Sequence, residues 1–357
     1  MTRDHKKVID KMQEILKETT KRYAFKKLEK EIIQTGACVE CGACVAACPV
    51  DAISGERLNN KYIPSLTGEC ISCGICYAMC PRTYPLQNQL LGRFRSAWKV
   101  KASDNHPRQD GGAVNAILGY MLDSNMIEAA VVACQSKDIP WLPEPRTATN
   151  SSELWRCGGT IYTHAQTVNE MLENYKKGLS SLAVVGTACN IESIHRMKEH
   201  HAGLFAIDKD ASIFTISLFC MESFNYQDLV VFLKREGIMI DDVERFAIAG
   251  GEFKITIKEQ ERTWPVSDLD SAAATSCAYC NDLTGFMADL SCGNIGSEEG
   301  WTTVLVRSAR GEEVLHAAHK AGNIEIEPLG DKALNTLSNS ARFKMNKFYI
   351  LRSPHTE

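Results

Sequence analysis

Two cysteine runs between residues 38 and 81 constrain this chain more than any other feature. The first supplies Cys38, Cys41, Cys44 and Cys48 before Pro49, and the second supplies Cys70, Cys73, Cys76 and Cys80 before Pro81. Both read C-x2-C-x2-C-x3-C-P, a spacing that wraps three thiolates around one [4Fe–4S] cube and sends the fourth to the other cube. The crossed pattern assigns Cys38, Cys41, Cys44 and Cys80 to one cluster, and Cys70, Cys73, Cys76 and Cys48 to the second. Zinc and disulfides are the competing uses of cysteine. Zinc sites draw four ligands as two pairs and need neither the triple spacing nor the proline.

At 357 residues the chain has room for two or three domains with a large core. Its net charge of −4 gives no reason to expect a nucleic-acid partner. Apolar runs such as 129–134 and 182–185 are far shorter than a membrane span and read as buried strands. The polar, lysine-rich N-terminus has no apolar signal core, so a cytoplasmic location is expected. Fifteen cysteines in a chain of this kind then point to metal ligation rather than to a disulfide framework.

Four segments are expected. Residues 1–33 read as an amphipathic helix, with Ile9, Met12, Leu16, Tyr23, Leu28 and Ile32 on one stripe. Ten Lys or Arg against six Asp or Glu make this arm basic, which suits either a solvated helix or docking to an acidic electron carrier. Residues 34–88 read as a small α+β two-cluster unit of the bacterial ferredoxin type. Residues 89–110 read as a linker, with a strand near 94–100 inside it. From residue 111 to 357 the pattern is α/β with a mixed sheet. Helices are expected at 111–123, 164–177, 189–200, 225–235, 311–321 and 331–346, and strands at 127–133, 182–185, 212–219 and 302–307. A hairpin turns at Gly250-Gly251, and three prolines make 137–150 a loop.

Seven further cysteines remain: Cys134, Cys157, Cys189, Cys220, Cys277, Cys280 and Cys292. Cys189 and Cys220 each follow an expected strand, at the carboxyl end of a sheet where ligand sites gather. Cys277 and Cys280 form a C-x2-C pair. Spacing alone leaves two readings open: a third [4Fe–4S] cluster on these four thiols, or a redox-active or zinc-binding pair beside two buried small residues. There is no G-x-G-x-x-G and no Gly-Lys dipeptide, which removes the dinucleotide fingerprint and the Walker A loop. Gly111-Gly112, Gly293 to Gly296 and Gly300-Trp301-Thr302 offer backbone N–H groups to a phosphate, each a weak signal alone. The histidines form no metal pattern; His195, His200 and His201 read as surface residues near one helix end.

Residues 95–310 resemble the coenzyme F420 hydrogenase/dehydrogenase beta-subunit family. The resemblance rests on Gly111-Gly112-Ala-Val114-Asn115, Val185-Gly186-Thr187-Ala188-Cys189, Leu218-Phe219-Cys220 and Cys277-Ala-Tyr-Cys280-Asn-Asp282. It continues through Ala288-Asp289, Gly293, Gly296, Gly300-Trp301-Thr302-Thr303 and Arg307, in family order. The layout, with the two-cluster unit first, is similar to the electron-input subunit of the F420 dehydrogenase complex and to the amino-terminal half of the F420-dependent sulfite reductase.

The resemblance implies one FAD, with contacts at Gly111, Gly112, Val114, Asn115, Gly186, Thr187, Gly293, Gly296, Trp301, Thr302 and Arg307. It also implies a third [4Fe–4S] cluster on Cys189, Cys220, Cys277 and Cys280, with Cys292 as the competing ligand. Ala188 departs from the proline usual before that cysteine, and Cys157-Gly-Gly departs from the expected Gly-Ser. The implied activity passes a hydride between F420 and FAD, and single electrons onward to ferredoxin, another electron-transfer subunit or a membrane complex docked peripherally. Two alternatives stand beside it: a ferredoxin-dependent reductase of another substrate, as in 7-hydroxymethyl chlorophyll a reductase, and a pure electron relay.

Overall fold

A computed structural model describes residues 24–84, 87–104, 110–199 and 211–352, with Lys6, Lys7, Ile9, Asp10 and Glu14, and only the backbone of 347–352. Most of the expected helix over 1–33 therefore lies outside the described residues, as do His200 and His201. The chain divides into two compact units, 1–92 with 338–357, and 93–337.

In the small unit, strands β1 (Ile53–Leu58) and β2 (Lys61–Leu66) form an antiparallel hairpin. Short helices carry the third cysteine of each run, Cys44 within Ala43–Ala46 and Cys76 within Ile75–Met79. Phe25, Leu28, Ile32, Ile53 and Tyr77 pack with Cys44 and Cys76 into one core, with Phe25 fully buried. So small a core is a modest stabiliser, and units of this size are commonly completed by metal.

The large unit is built on an eight-stranded mixed sheet, ordered β13-β3-β12-β11-β7-β6-β4-β5. Its strands are β3 (Ser96–Ala102), β4 (Ala129–Gln135), β5 (Pro143–Ala148), β6 (Ser181–Thr187) and β7 (Ser212–Leu218), then β11 (Leu290–Gly293), β12 (Thr302–Val306) and β13 (Ile324–Pro328). β4, β6, β7 and β11 pair in parallel, and β3 shares their direction through the antiparallel β12 between it and β11. Helices cover both faces. Ala130, Val132, Ala183, Val185, Phe214 and Ile216 meet the helices Ala113–Asp123 and Ala309–Lys320 on one side. Ala129, Val131, Leu182, Val184 and Ile213 meet Thr167–Lys176 and Ala188–Glu199 on the other. Burial on both faces is why these strands read as continuous apolar runs.

A second, antiparallel sheet joins β8 (Arg245–Ala249), β9 (Glu252–Ile257) and β10 (Gln260–Pro265). Gly250-Gly251 forms the expected turn between the first two. Phe246, Phe253 and Ile255 pack there against Leu229, Phe232 and Leu233 of the helix Tyr226–Arg235. That helix is capped by Asn225, whose Oδ1 accepts from the Gln227 and Asp228 amides.

Two expectations are corrected. The proline-bearing stretch 137–150 contains β5, which pairs with β4 through Gln135↔Pro143 to Ala130↔Ala148. It is an edge strand, where a missing N–H costs no ladder bond. The strand expected near 94–100 is present as Ser96–Ala102, but within the large sheet rather than in a linker: it is hydrogen-bonded on both sides, by β12 and by β13.

Phe214 is fully buried at the centre of the large sheet. Phe214→Ala is expected to lower the stability of the full chain by about 3–5 kcal/mol, read from the denaturant midpoint. A loss below about 1 kcal/mol would contradict this packing.

Candidate iron–sulfur and cofactor site

The two cysteine runs fold alike. Glu40 and Ser72, equivalent in the runs, sit at positive φ (58° and 54°), and so do the following glycines, Gly42 and Gly74 (73° and 78°). Each glycine caps the helix that carries Cys44 or Cys76. Left-handed residues in this arrangement turn successive amides toward one concavity, the geometry that suits an anionic iron–sulfur cube. Backbone N–H groups already point at sulfur: Glu40 N lies 3.5 Å from Cys38 Sγ, and Ala52 N lies 3.3 Å from Cys48 Sγ.

The runs also cross. One cavity is lined by Cys48, Cys70, Cys73 and Cys76, closed by Phe25, Pro49, Ile53 and Ile71. Burial pushes up the Cys73 thiol, and the neighbouring Cys48 and Cys70 add to the shift. Cys76 is pushed up to about 12, by burial first and then by Cys73 and Cys70. On the other side, burial raises Cys80, and so do Cys41 and Cys38; Cys44 is raised by burial and by the same two neighbours. Without metal these thiols hold their protons, so cluster binding must displace them. The residues thus fit two clusters in donor chemistry and grouping. Among the described residues no three His, Cys, Asp or Glu side chains close around a single metal ion. A four-iron cube holds its thiolates on separate corners, wider apart than one zinc does.

In the large unit the expected site residues gather at the carboxyl edge of the parallel strands. Gly186 and Thr187 end β6, and the helix Ala188–Glu199 begins at once. Thr187 donates its amide (3.2 Å) and its hydroxyl (2.8 Å) to Asn190 Oδ1, and its Oγ1 lies 3.1 Å from Cys189 Sγ. Asn190, which sequence reasoning missed, starts the helix with Ala188 at its first position. A proline would be tolerated there because the first helical amide needs no partner.

Cys220 follows β7, the neighbour of β6, and its amide donates to Leu283 O (2.9 Å). Ser223 links two thiols: its amide lies 3.3 Å from Cys277 Sγ, and its hydroxyl 4.0 Å from Cys220 Sγ. Cys280 N donates to Cys277 O (3.1 Å), and Asp282 follows to accept from the amides of Thr284, Gly285 and Phe286 at 2.7–2.9 Å. Cys189 is exposed, while Cys220, Cys277 and Cys280 are half-buried. Cys292 lies fully buried inside β11, where desolvation pushes it up to about 12. Its place in the sheet core explains it as packing. Cys134 and Cys157 are joined as a disulfide.

Most glycines singled out for phosphate have a nearer explanation. A Cβ on Gly111 would lie 2.5 Å from Val100 O and 2.8 Å from Thr302 N, and one on Gly293 would strike the Phe219 ring. Gly112 precedes the helix Ala113–Asp123, whose first amides have no side-chain cap. Val114 packs on the core, and Asn115 donates to Leu154 O (3.3 Å). Gly296 lies close to Ala333 O, and Trp301 is faced by the Lys99 and Lys101 ammonium groups at 5.0 and 4.8 Å. Arg307 stands apart, at the opposite end of β12. It donates to Ser291 Oγ (2.5 Å), Thr284 Oγ1 (2.9 Å) and Arg93 O (3.0 Å), and burial lowers it to about 10. Those bonds tie the Asp282–Gly285 turn to the sheet.

A cysteine-rich unit built for two clusters, joined in one chain to a doubly covered mixed sheet with four more thiols at one edge, defines an iron–sulfur protein. Comparison with known proteins identifies the kind. A 4Fe-4S dicluster domain matches residues 30–81. Coenzyme F420 hydrogenase/dehydrogenase beta subunit N-terminal and C-terminal domains match 96–173 and 179–332. The chain is 31% identical over 246 residues to coenzyme F420 hydrogenase subunit beta of Methanothermobacter thermautotrophicus, covering 67% of this chain and 86% of that one. It is 29% identical to a subunit of the F420H2 dehydrogenase of Methanosarcina mazei, covering 79% of this chain and 82% of that one. Among solved structures, a chain of the F420-reducing [NiFe] hydrogenase complex from Methanosarcina barkeri superimposes with a TM-score of 0.67 at 26% identity, covering 72% of this chain and 92% of that one. The chain therefore belongs to the coenzyme F420 hydrogenase/dehydrogenase beta-subunit family, whose members are iron–sulfur, F420-linked oxidoreductase subunits.

Asp282 holds the turn after Cys280 through three amides. Asp282→Ala is expected to cost about 1–3 kcal/mol and to speed hydrogen exchange at residues 284–286, measured by mass spectrometry on the full chain. Unchanged exchange there would refute this role.

Proposed function

We propose that this chain passes electrons between coenzyme F420, as a hydride through FAD, and one-electron carriers, through [4Fe–4S] clusters. The observation that carries the reading is the coexistence, in one chain of this family, of two crossed thiol quartets with a carboxyl edge that bears four more thiols. Cys38, Cys41, Cys44 and Cys80 would hold one cluster, Cys48, Cys70, Cys73 and Cys76 the second, and Cys189, Cys220, Cys277 and Cys280 a third. FAD, when bound, exchanges an electron pair with a hydride donor and single electrons with iron–sulfur centres.

The chain's own residues supply position. The uncapped amides at Ala113, Val114 and Asn115 offer donors to a phosphate, and Gly112 keeps their approach open. Gly186, Thr187, Gly293, Gly296, Trp301 and Thr302 line the same edge and are the remaining proposed contacts. Arg307 would act at a distance, by fixing the turn after Cys280. Hydride transfer requires no side-chain acid or base, which accords with the lack of a catalytic dyad in this reading. The electron partner is proposed to be ferredoxin or another electron-transfer subunit, in the cytoplasm. No helix among the described residues is long and apolar enough to cross a membrane.

The test is anaerobic. The full chain, reconstituted with FAD, iron and sulfide, is mixed with reduced F420 and a viologen. F420 oxidation with matching viologen reduction is expected, dependent on added FAD. No reduction above the apo chain would overturn the reading. Cys80→Ser is expected to lower bound iron by about four atoms per chain while retaining the Cys48 cluster signal in electron paramagnetic resonance.

A further inference from the structure

Three of the fifteen cysteines belong to none of these thiol sets, and of these Cys292 is fully buried within the sheet, which leaves Cys134 and Cys157. Cys134 lies near the end of β4 and is 6% exposed. Cys157 ends a short 3-10 turn, Trp155–Cys157, and is only partly buried. Their Cα atoms are 4.4 Å apart and the sulfurs are bonded, at the close end of the usual disulfide range. Each sulfur has a different setting. Cys134 is packed in the sheet core, whereas Cys157 is flanked by exposed Arg156 and Gly158.

The stretch of chain after Cys157 gives the bond a consequence. Gly158 and Gly159 are exposed, and Gly159, at φ 98°, has no neighbour within 4 Å of where a Cβ would stand. Beyond that loose joint the chain lies along Phe224: Phe224 N donates to Tyr162 O (2.7 Å), and Thr163 bridges Phe224 in parallel. The Tyr162 hydroxyl accepts from the Ile248 amide (2.9 Å). Phe224 adjoins Ser223, whose amide reaches Cys277 Sγ. Thus the disulfide anchors, at β4, a segment whose far end rests beside the Cys220 and Cys277 loops. Thr163 and Thr167 hydroxyls are buried without a hydrogen-bond partner. Thr163, within the segment, therefore carries the cost of a buried unpaired hydroxyl.

We propose that Cys134 and Cys157 form a reversible dithiol–disulfide switch, closed in this structure, that pins the 158–163 segment along the Cys220/Cys277 loops. The reductant is a dithiol protein. Its thiolate attacks Cys157 Sγ, on the less buried of the two cysteines, so that one S–S bond forms as the Cys134–Cys157 bond breaks. The released Cys134 thiolate takes up a proton. The reductant's second thiolate then displaces Cys157, which is protonated in turn. The pair gains two electrons and two protons, and the reductant leaves as its own disulfide. Opening frees the 3-10 turn and the glycine joint, while β4 keeps Cys134 in place. The thiol exchange itself uses neither FAD nor F420, so its test stands whether or not F420 is the substrate, although the pinned segment rests beside loops that carry two of the proposed cluster ligands.

The experiment uses the full chain, purified anaerobically and alkylated before and after treatment with a reduced thioredoxin-type dithiol. Peptides carrying Cys134 and Cys157 are expected to be unlabelled before treatment and fully labelled after it, without denaturant. Hydrogen exchange across 158–163 is expected to rise on the order of tenfold on reduction. Cys134→Ser is expected to show that faster exchange, and a labelled Cys157, with no reductant. Two results overturn the proposal: a pair that is already alkylated and that oxidised glutathione cannot close, or a disulfide that the dithiol cannot reduce in the folded chain. Unchanged exchange in both the reduced chain and the variant would remove the pinning role, leaving a cross-link without the switch.

Discussion

The parallel ladder between β6 and β7 is the constraint on which the large unit depends. Seven residue pairs, from Ser181↔Ser212 to Thr187↔Leu218, hold the two strands level. Their ends therefore deliver Thr187-Ala188-Cys189 and Phe219-Cys220 to the same edge of the sheet. A slip of one residue would turn every core side chain to the wrong face, so the two apolar clusters lock this register. The chemistry of the edge is thus set by packing far from it. Val184 and Phe214, which touch no cofactor in any reading, decide where Cys189 and Cys220 stand.

The turn after Cys280 is held by a different device. Asp282 gathers three amides, and Arg307 reaches up from the far end of β12 to Thr284 and Ser291. A half-buried guanidinium with three hydrogen bonds to the protein is costly to disturb. The same residue type at an exposed edge would be free to meet a phosphate. Arg307 is marked by its family position, and sequence offers no means of telling these two uses apart. The fold places Arg307 after β12, at the end away from the carboxyl edge of the parallel strands.

Local signals were legible where one residue type has one physical use. The helix expected over 225–235 and the turn at Gly250-Gly251 are both present, and the tandem cysteine stretch matches a 4Fe-4S dicluster domain. Signals failed where one type has two uses. Pro143 and Pro145 argued for a loop and sit in an edge strand, because only the sheet order reveals that their missing amides are not needed. At Gly111 and Gly293 the two uses stay together, because each lies against a neighbour that leaves no room for a side chain and so requires glycine with or without a phosphate. β11 is four residues of Leu-Ser-Cys-Gly, too short and too polar to announce a strand, although it lies between two others. β13, Ile324–Pro328, carries the alternation of a strand in a stretch too short to stand out.

Cysteine shows the same ambiguity within one chain and shows what resolves it. In the small unit the thiols are clustered, so burial and neighbouring thiols act together to raise Cys44, Cys73, Cys76 and Cys80, and a polycationic iron core would relieve both. At the carboxyl edge of the large sheet Cys189 is exposed and Cys220, Cys277 and Cys280 are half-buried; the first three are met by an amide or a hydroxyl, and Cys280 by Asp282 O. Cys292 has only apolar neighbours and behaves as a small core residue. Cys134 and Cys157 are matched to each other. The four settings differ in what surrounds the sulfur: other thiols, local polar groups, apolar side chains, or a second bonded sulfur. Position in the fold, rather than spacing, assigns each cysteine to one of them. The tandem motif is the exception, because its three-residue rhythm writes the fold of its own loop, with left-handed Gly42 and Gly74 repeating at the same step in each run.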